Sequence, residues 1–331
     1  MREVGDSMQR ETCIIAGAGP CGMATAIALK KVGIEPLIIE KGNVVNALYR
    51  FPTHQTFFST SDRLEIGQIP FITENRKPTR NQALAYYRKV AELEKLRINK
   101  YETVFSVQAF GTGFLVETSK RKYTADFVVL ATGYYDHPNW MGVPGEDLPK
   151  VTHYFKEAHP YFDTDVCVIG GKNSAVDAAM ELQKAGARVT VLYRGSDYSG
   201  HIKPWVLPEF VSLVKKGAIR MEFNTLVREI TETTVIFEQN DQLHEIPNDF
   251  VFAMTGYRPD HEMLRQMGVK IEEETGRPFF SPKTMETNVP GIFIAGVIAA
   301  GNDANEIFIE NGRFHGELIA REISNRLKDK R

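Results

Sequence analysis

The run GAGPCG, Gly17 to Gly22, places a thiol inside a glycine turn. A thiol at that point has two uses. As a thiolate it can exchange with a disulfide, and the helix N-terminus that follows favours the thiolate. As a small side chain it can fill a tight corner. The glycines around it, Gly17, Gly19 and Gly22, are spaced G-x-G-x-x-G between an apolar strand and a helix. In that pattern the first glycine makes the turn, the second lets backbone approach a pyrophosphate, and the third lets helix and strand pack. The helix N-terminus supplies N–H donors and a positive dipole. Glu40 ends the next strand, 18 residues after Gly22. Its carboxylate can accept both hydroxyls of an adenosine ribose and repels a 2′-phosphate, so the first turn suits FAD or NAD rather than NADP.

A second turn reads Gly170, Gly171, Lys172, Asn173, Ser174, Ala175. Lysine stands where the pattern usually has its second glycine. A side chain there crowds a pyrophosphate unless it turns outward or pairs with phosphate. After the following strand comes Tyr193-Arg194-Gly195-Ser196 in place of a carboxylate. Arginine offers a forked cation for a 2′-phosphate, with Ser196 and Lys203 as further candidates, so the turn suits NADPH; the alternatives are a degenerate copy that only folds and a solvated surface arginine.

Among the remaining reactive side chains, His54 lies in FPTHQTFFSTSD and is a candidate proton donor or a packing residue. Tyr49, Phe51, Phe57 and Phe58 are candidates for the walls of an isoalloxazine site or for ordinary core. Cys13 and Cys167 fall in apolar strands and read as core. No CxxC pair and no metal-ligand spacing of histidines is present, so neither a dithiol centre nor a metal site is expected.

Positioning these residues takes two copies of one device. Thr12 to Glu40 reads as a βαβ unit, and Asp163 to Arg194 repeats it: strand, glycine turn, helix, AGA break, strand. Between them Tyr86 to Leu96 has helical spacing, and TVFSVQAFGTGFLVET and KYTADFVVLATG alternate as antiparallel strands do. Asp136 to Lys150 has the Pro/Gly composition of a crossing linker. Later come a β-like LVREITETTVIFEQ, then one strand and a long terminal helix in GIFIAG to AREI. The expected fold class is α/β, with two Rossmann-like dinucleotide-binding domains, the second inserted in the first. The boundaries expected are 1–157 for the first part of the FAD domain, 158–257 for the NADPH domain and 258–331 for the second part of the FAD domain. At 331 residues the chain is long enough for two cores. A net charge of −2 gives no bias toward nucleic acid or membrane, and no apolar run approaches a bilayer span. The charged start and the three cysteines fit a cytoplasmic protein without a disulfide framework.

With VVLATGYY (Val128 to Tyr135) and VFAMTGYRPD (Val251 to Asp260) ending the two domains, the whole chain resembles the two-dinucleotide-binding flavoprotein reductases. Its size and domain order resemble the low-molecular-weight thioredoxin reductases, whose CxxC it lacks. GAGPCG, GGKNSAVDAA, YRFPTHQTFFSTSDRLEIG, HIKPWVLPEF and AGNDANEIFIENGRFHG together resemble the YpdA-type bacillithiol disulfide reductases of Gram-positive bacteria.

That resemblance implies NADPH-dependent reduction of oxidised bacillithiol, a small-molecule disulfide, by a homo-oligomer. NADPH on the second fold would pass hydride to flavin N5, and the reduced flavin its electrons to the disulfide, directly or through Cys21. Rotation of one domain against the other, about the Asp136–Lys150 linker and the crossing near Tyr257, would bring nicotinamide to flavin. The implied FAD set is Gly17, Gly19, Pro20, Cys21, Gly22, Glu40, Lys41, Val104, Thr132, Gly133, Gly296 and Ile307. The implied NADPH set is Gly170, Lys172, Asn173, Ser174, Ala175, Arg194, Ser196, Lys203 and Gly256. In the late segment Val297 follows Gly296 where the superfamily has aspartate, leaving Asn302 or Asp303 for the polar role. Competing readings are a thioredoxin-reductase-like ferredoxin or flavodoxin NADP reductase, with an aromatic C-terminal extension that ISNRLKDKR does not supply, a flavin monooxygenase, and a flavin-bound redox sensor in which Lys172 blocks NADPH.

Overall fold

The computed structural model describes residues 8–303 and 306–329. The charged start used for the localisation reading, and Ala304 and Asn305 of the late motif, lie outside the described residues. The chain divides into two compact units, Met1–His137 with Tyr257–Arg331, and Pro138–Gly256.

In the first unit, β1 (Gln9–Ala16), α1 (Pro20–Lys31) and β2 (Leu37–Glu40) form the first βαβ unit. A short α2 (Asn46–Tyr49) follows, then α3 (Arg80–Leu93), β3 (Ile98–Lys100), β4 (Val104–Phe110), β5 (Gly113–Thr118) and β6 (Lys122–Leu130). Helix α3 begins earlier than its apolar spacing suggested. Thr79 and Gln82 form a reciprocal capping box that satisfies backbone N–H groups at its start.

The sheet runs β3-β2-β1-β6 in parallel, with the β5-β4 hairpin continuing antiparallel from β6. Helix α1 buries Met23, Ala26, Ile27 and Leu29, so burial rather than a charged cap holds it.

The second unit contributes β7 (Val151–Thr152), β8 (Asp165–Ile169), α4 (Asn173–Lys184), β9 (Arg188–Leu192), α5 (Leu207–Lys215) and β10 (Ile219–Glu222). Then come β11 (Thr225–Ile230), β12 (Thr234–Gln239), β13 (Gln242–Pro247) and β14 (Phe250–Ala253). Its parallel sheet has the order β10-β9-β8-β14-β7, and β11-β12-β13 is a separate antiparallel meander. Alternation along β8 serves both faces. Val166 and Val168 pack with Ala175, Ala178, Ala179 and Leu182 of α4, whereas Cys167 and Ile169 pack with Val227, Val235 and Phe237 of the meander.

The first boundary lies at His137/Pro138, ahead of the 157/158 expected from sequence, and the second at Gly256/Tyr257 instead of 257/258. The Pro/Gly passage is not a free linker. Met141, Val143, Leu148 and Val151 pack on the core of the second unit. Glu146 accepts from the N–H groups of Met141 and Gly142 at 2.9 and 2.8 Å, and β7 pairs with β14.

Back in the first unit, α6 (His261–Gln266) precedes β15 (Ile292–Ile294), which lies parallel to Val128–Leu130 of β6. Strand β6 thus carries the hairpin along Lys122–Ala125 and β15 further on, both on the edge away from β1. After α7 (Ile309–Gly312), the terminal helix α8 (His315–Asp329) packs on α1. A Cβ on Gly316 would stand 2.5 Å from Cα of Thr25, so the two helices meet at backbone distance there.

Candidate functional site

The first glycine turn leaves β1 through Gly17, whose N–H donates to the Ile39 carbonyl at 2.8 Å. Gly17 has φ +108°, and a Cβ there would sit 2.5 Å from the Ala131 carbonyl oxygen. At Gly22 a Cβ would overlap the Gly17 carbonyl. Gly19 differs: its Cβ would meet no protein atom within 4 Å. The protein itself leaves room for a side chain at this position. Gly19 is also the N-cap of α1 and supplies no side-chain hydrogen bond, and the first turn has no acidic residue. A helix N-terminus with open space at Gly19 fits a pyrophosphate. Thr132 and Gly133 follow β6 beside this turn, and Gly133 at φ +71° also faces open space.

Glu40 is 6% exposed. One carboxylate oxygen accepts from Ala18 N–H and the other from Gly42 N–H, both at 2.8 Å. It therefore ties the glycine turn to the loop after β2, and each oxygen keeps a lone pair for a hydroxyl. Burial raises its pKa, opposed by those two hydrogen bonds and by Lys41. Lys41 itself pairs with Asp136 at 2.7 Å, and Arg50 shares that carboxylate. Around Arg50 the rings of Phe51, Tyr135 and Tyr257 pack edge to face or tilted, with centroids 5.1 and 4.5 Å apart, and Phe57 lies 6.3 Å from Phe51. Tyr49 and Phe58 are largely exposed instead. His54 is exposed on the same stretch.

Cys21 occupies the first turn of α1, and its residue is half-buried. Its sulfur is enclosed. A Cβ on Gly296 or on Gly312 would lie 3.0 Å from Sγ, so two glycines from the far end of the chain make room for it. Burial pushes the thiol up to about 12, far above the range in which a helix N-terminus yields thiolate at neutral pH. Cys13 and Cys167 are fully buried, and burial raises both.

Gly296 has φ +80°, and its N–H donates to Nδ1 of His315 at 3.1 Å. The accepting nitrogen carries no proton, so the imidazole is neutral with its hydrogen on Nε2. Burial also lowers the His315 pKa. Sequence spacing gave no sign of this histidine's role, because its partner is nineteen residues away. Val297 opens a short 3-10 turn after Gly296. Asn302 is exposed, donates its N–H to the Thr275 carbonyl and lies against Gly276; Asp303 is exposed. Val104 and Ile307 pack against the core of this unit.

In the second unit Gly170 has φ +139° and donates to the Leu192 carbonyl at 2.9 Å. Lys172 is the N-cap of α4 with extended backbone and an exposed side chain, so it turns outward and leaves the helix N-terminus open. Ser174 is exposed at that terminus, and Ala175 is buried against the sheet. Asn173 is engaged elsewhere, donating to the His201 carbonyl at 2.8 Å and accepting from Lys203 N–H at 3.0 Å.

Arg194 and Ser196 are exposed, and Arg194 makes no ion pair among the described residues. Lys203 is only 8% exposed, and its ammonium pairs with Asp177 at 2.7 Å. That pairing holds Lys203 in the fold, and the exposed polar groups after β9 include Arg194, Ser196 and Asp197. Gly256, at φ +91°, closes the unit beside Asn139. Among the described residues, no group of three or more His, Cys, Asp or Glu is arranged to hold a metal ion, and no helix is long and apolar enough to cross a membrane.

Residues 14–296 match the family described as pyridine nucleotide-disulphide oxidoreductase. A bacilliredoxin reductase of Bacillus subtilis (strain 168) is 64% identical over 321 residues, covering 96% of this chain and 99% of that protein. The solved structure of a bacillithiol disulfide reductase from Bacillus cereus superposes with a TM-score of 0.95 at 65% identity, over 96% of this chain and 100% of that one. A ferredoxin–NADP reductase of Ignicoccus hospitalis is 25% identical over 296 residues, 86% of this chain and 89% of that protein.

Proposed function

The chain belongs to the pyridine nucleotide-disulphide oxidoreductase family, and from that premise we propose that it is an NADPH-dependent flavoprotein that reduces oxidised bacillithiol. Use of a flavin and of a nicotinamide nucleotide follows from the family. FAD and NADPH are our assignments. The observation that carries the reading is the 64% identity to a bacilliredoxin reductase along nearly the whole of both chains. The overall change converts one NADPH, one proton and one disulfide into NADP⁺ and two thiols.

A bound flavin supplies the two-electron relay between a nicotinamide and a disulfide. The protein's part is to hold and orient. In the first unit the turn Gly17–Gly22, with Pro20 and Cys21 at the start of α1, receives the pyrophosphate of FAD, and Glu40, beside Lys41, receives the ribose. Thr132, Gly133, Val104, Ile307 and Gly296 flank the remainder, with His315 fixing Gly296. In the second unit Gly170, Lys172, Asn173, Ser174 and Ala175 form the turn for NADPH; Arg194 and Ser196 meet the 2′-phosphate, and Gly256 shapes the exit.

Cys21 is assigned to packing. A thiol with a pKa near 12 is protonated at neutral pH and makes a poor attacking group. The electrons are therefore assigned the direct path to the disulfide.

The ferredoxin reductase reading has 25% identity behind it against 64% for the reductase reading. Anaerobic NADPH oxidation by the flavin-loaded protein separates the acceptors. Oxidised bacillithiol alone should sustain turnover, and ferredoxin or flavodoxin should not. Turnover that appears only when a bacilliredoxin is supplied would move the acceptor to a protein disulfide. Turnover only with ferredoxin would overturn the assignment.

A further inference from the structure

The two units repeat one backbone plan, and their hydrogen bonds align it residue by residue. Gly17 N–H donates to Ile39 and Gly170 N–H to Leu192. The strand registers agree: Ala16 stands opposite Ile39, and Ile169 opposite Leu192. The residue after each acceptor is then Glu40 in the first unit and Tyr193 in the second. Tyr193, not Arg194, is the positional counterpart of the ribose-binding carboxylate.

The likeness extends to what the two side chains touch. Glu40 binds the N–H of the residue after Gly17, Ala18, and of the residue two beyond itself, Gly42. The same positions in the second unit are Gly171 and Gly195. A Cβ on Gly171 would overlap Cγ of the Tyr193 ring and lie 2.6 Å from its Cδ1. A Cβ on Gly195 would overlap Cε1 and lie 2.8 Å from Cζ. The ring therefore lies against the two positions that the carboxylate ties together in the first unit. Position 18, where Glu40 accepts from the backbone, carries a Cβ. Glycine stands at 171 because a ring covers it. Dispersion contact has replaced two hydrogen bonds, and the negative charge has gone with them.

We propose that Tyr193 is the positioning residue for the 2′-phosphate end of NADPH. It is an uncharged staple that fixes the phosphate-binding turn against the Arg194–Ser196 loop without presenting a carboxylate to the phosphate. This rests on the assignment of NADPH to the second unit. It also accounts for Lys172, since a turn held from the Gly171 side leaves the lysine on the outside.

The test is isothermal titration of the flavin-loaded protein with NADP⁺ and with NAD⁺. Tyr193→Leu should weaken NADP⁺ about tenfold while NAD⁺ changes about twofold or less, and Tyr193→Phe should hold NADP⁺ within about twofold. Tyr193→Glu restores the carboxylate and should abolish the preference for NADP⁺. Gly171→Ala should weaken NADP⁺ about as much as Tyr193→Leu does, yet add about twofold or less on top of Tyr193→Ala, because the partner it collides with is gone. Retained NAD⁺ binding, made by the same unit, reports on each variant's integrity, and Tyr193→Phe keeps the ring should the others fold poorly. A wild-type protein that binds the two nucleotides alike would overturn the NADPH assignment, and the proposal with it. A wild type that prefers NADP⁺, with Tyr193→Leu and Tyr193→Glu keeping the preference or with Gly171→Ala and Tyr193→Ala acting additively, would overturn the proposal alone.

Discussion

Cys21 is where sequence and structure pull hardest against each other. Its place in the first turn of α1 favours thiolate, whereas Gly296 and Gly312 enclose its sulfur and push the thiol up to about 12. Burial wins because the enclosure removes water from the sulfur, and the dipole of one helix does not replace it. In timed alkylation of the native protein at pH 7.5, iodoacetamide should modify Cys21 on the order of a thousandfold more slowly than an ordinary thiol. Modification at the free-thiol rate would return Cys21 to the electron path. His315 gives a second residue-level prediction. Its folded-state pKa is lowered by burial, so its contribution to stability is present above the ordinary value of 6.5 and is lost as pH falls through the depressed folded-state value. In His315→Asn, whose amide oxygen can still accept from Gly296, melting temperature should depend less on pH below 6.5 than in wild type. An unchanged acid limb would show that His315 does not titrate with folding. Glu40 and Gly17 stood out in the sequence as parts of one glycine-turn pattern, although Glu40 meets Ala18 22 residues away. The pairing of Lys203 with Asp177 was not legible, because no repeated pattern links the two, and neither was the enclosure of Cys21.

Among the elements, the turn into α1 separates what the fold needs from what a ligand needs. Gly22→Ala collides with the Gly17 carbonyl and should destabilise the protein even without flavin. Gly19→Ala meets no protein atom, so the apoprotein should melt as wild type does while flavin content falls sharply. Normal flavin content in Gly19→Ala would mean that the pyrophosphate does not approach there. The capping box of α3 predicts that Thr79→Ala lowers stability by about 1 kcal/mol, read from the shift in urea midpoint. Both βαβ units were legible because each is written within about thirty residues of continuous pattern. The pairing of β15 with β6 joins Ile292 to Val128 and left no local mark. The passage Asp136–Lys150 does contain the crossing, at His137/Pro138, but proline and glycine make a free linker and a folded-down turn look alike. Only the packing of Val143 and Leu148 distinguishes them.

At the level of the whole molecule, the account is a division of labour between Met1–His137 with Tyr257–Arg331 and Pro138–Gly256. In the proposed function, Glu40 in one and Tyr193 with Arg194 in the other would set which nucleotide each unit takes. Arg194→Ala should therefore weaken NADPH about tenfold to a hundredfold, the worth of a lost charge-assisted contact, with flavin content unchanged. Loss of flavin in that variant would contradict the separation. The central claim is direct electron delivery from NADPH through the flavin to oxidised bacillithiol without a protein thiol. Anaerobic stopped-flow absorbance near 450 nm tests it most directly, with NADPH mixed first and oxidised bacillithiol second, in wild type and in Cys21→Ser. Bleaching followed by disulfide-dependent reoxidation at similar rates in both proteins is the predicted result. Bleaching in both, with reoxidation in wild type alone, would contradict it and place Cys21 on the path.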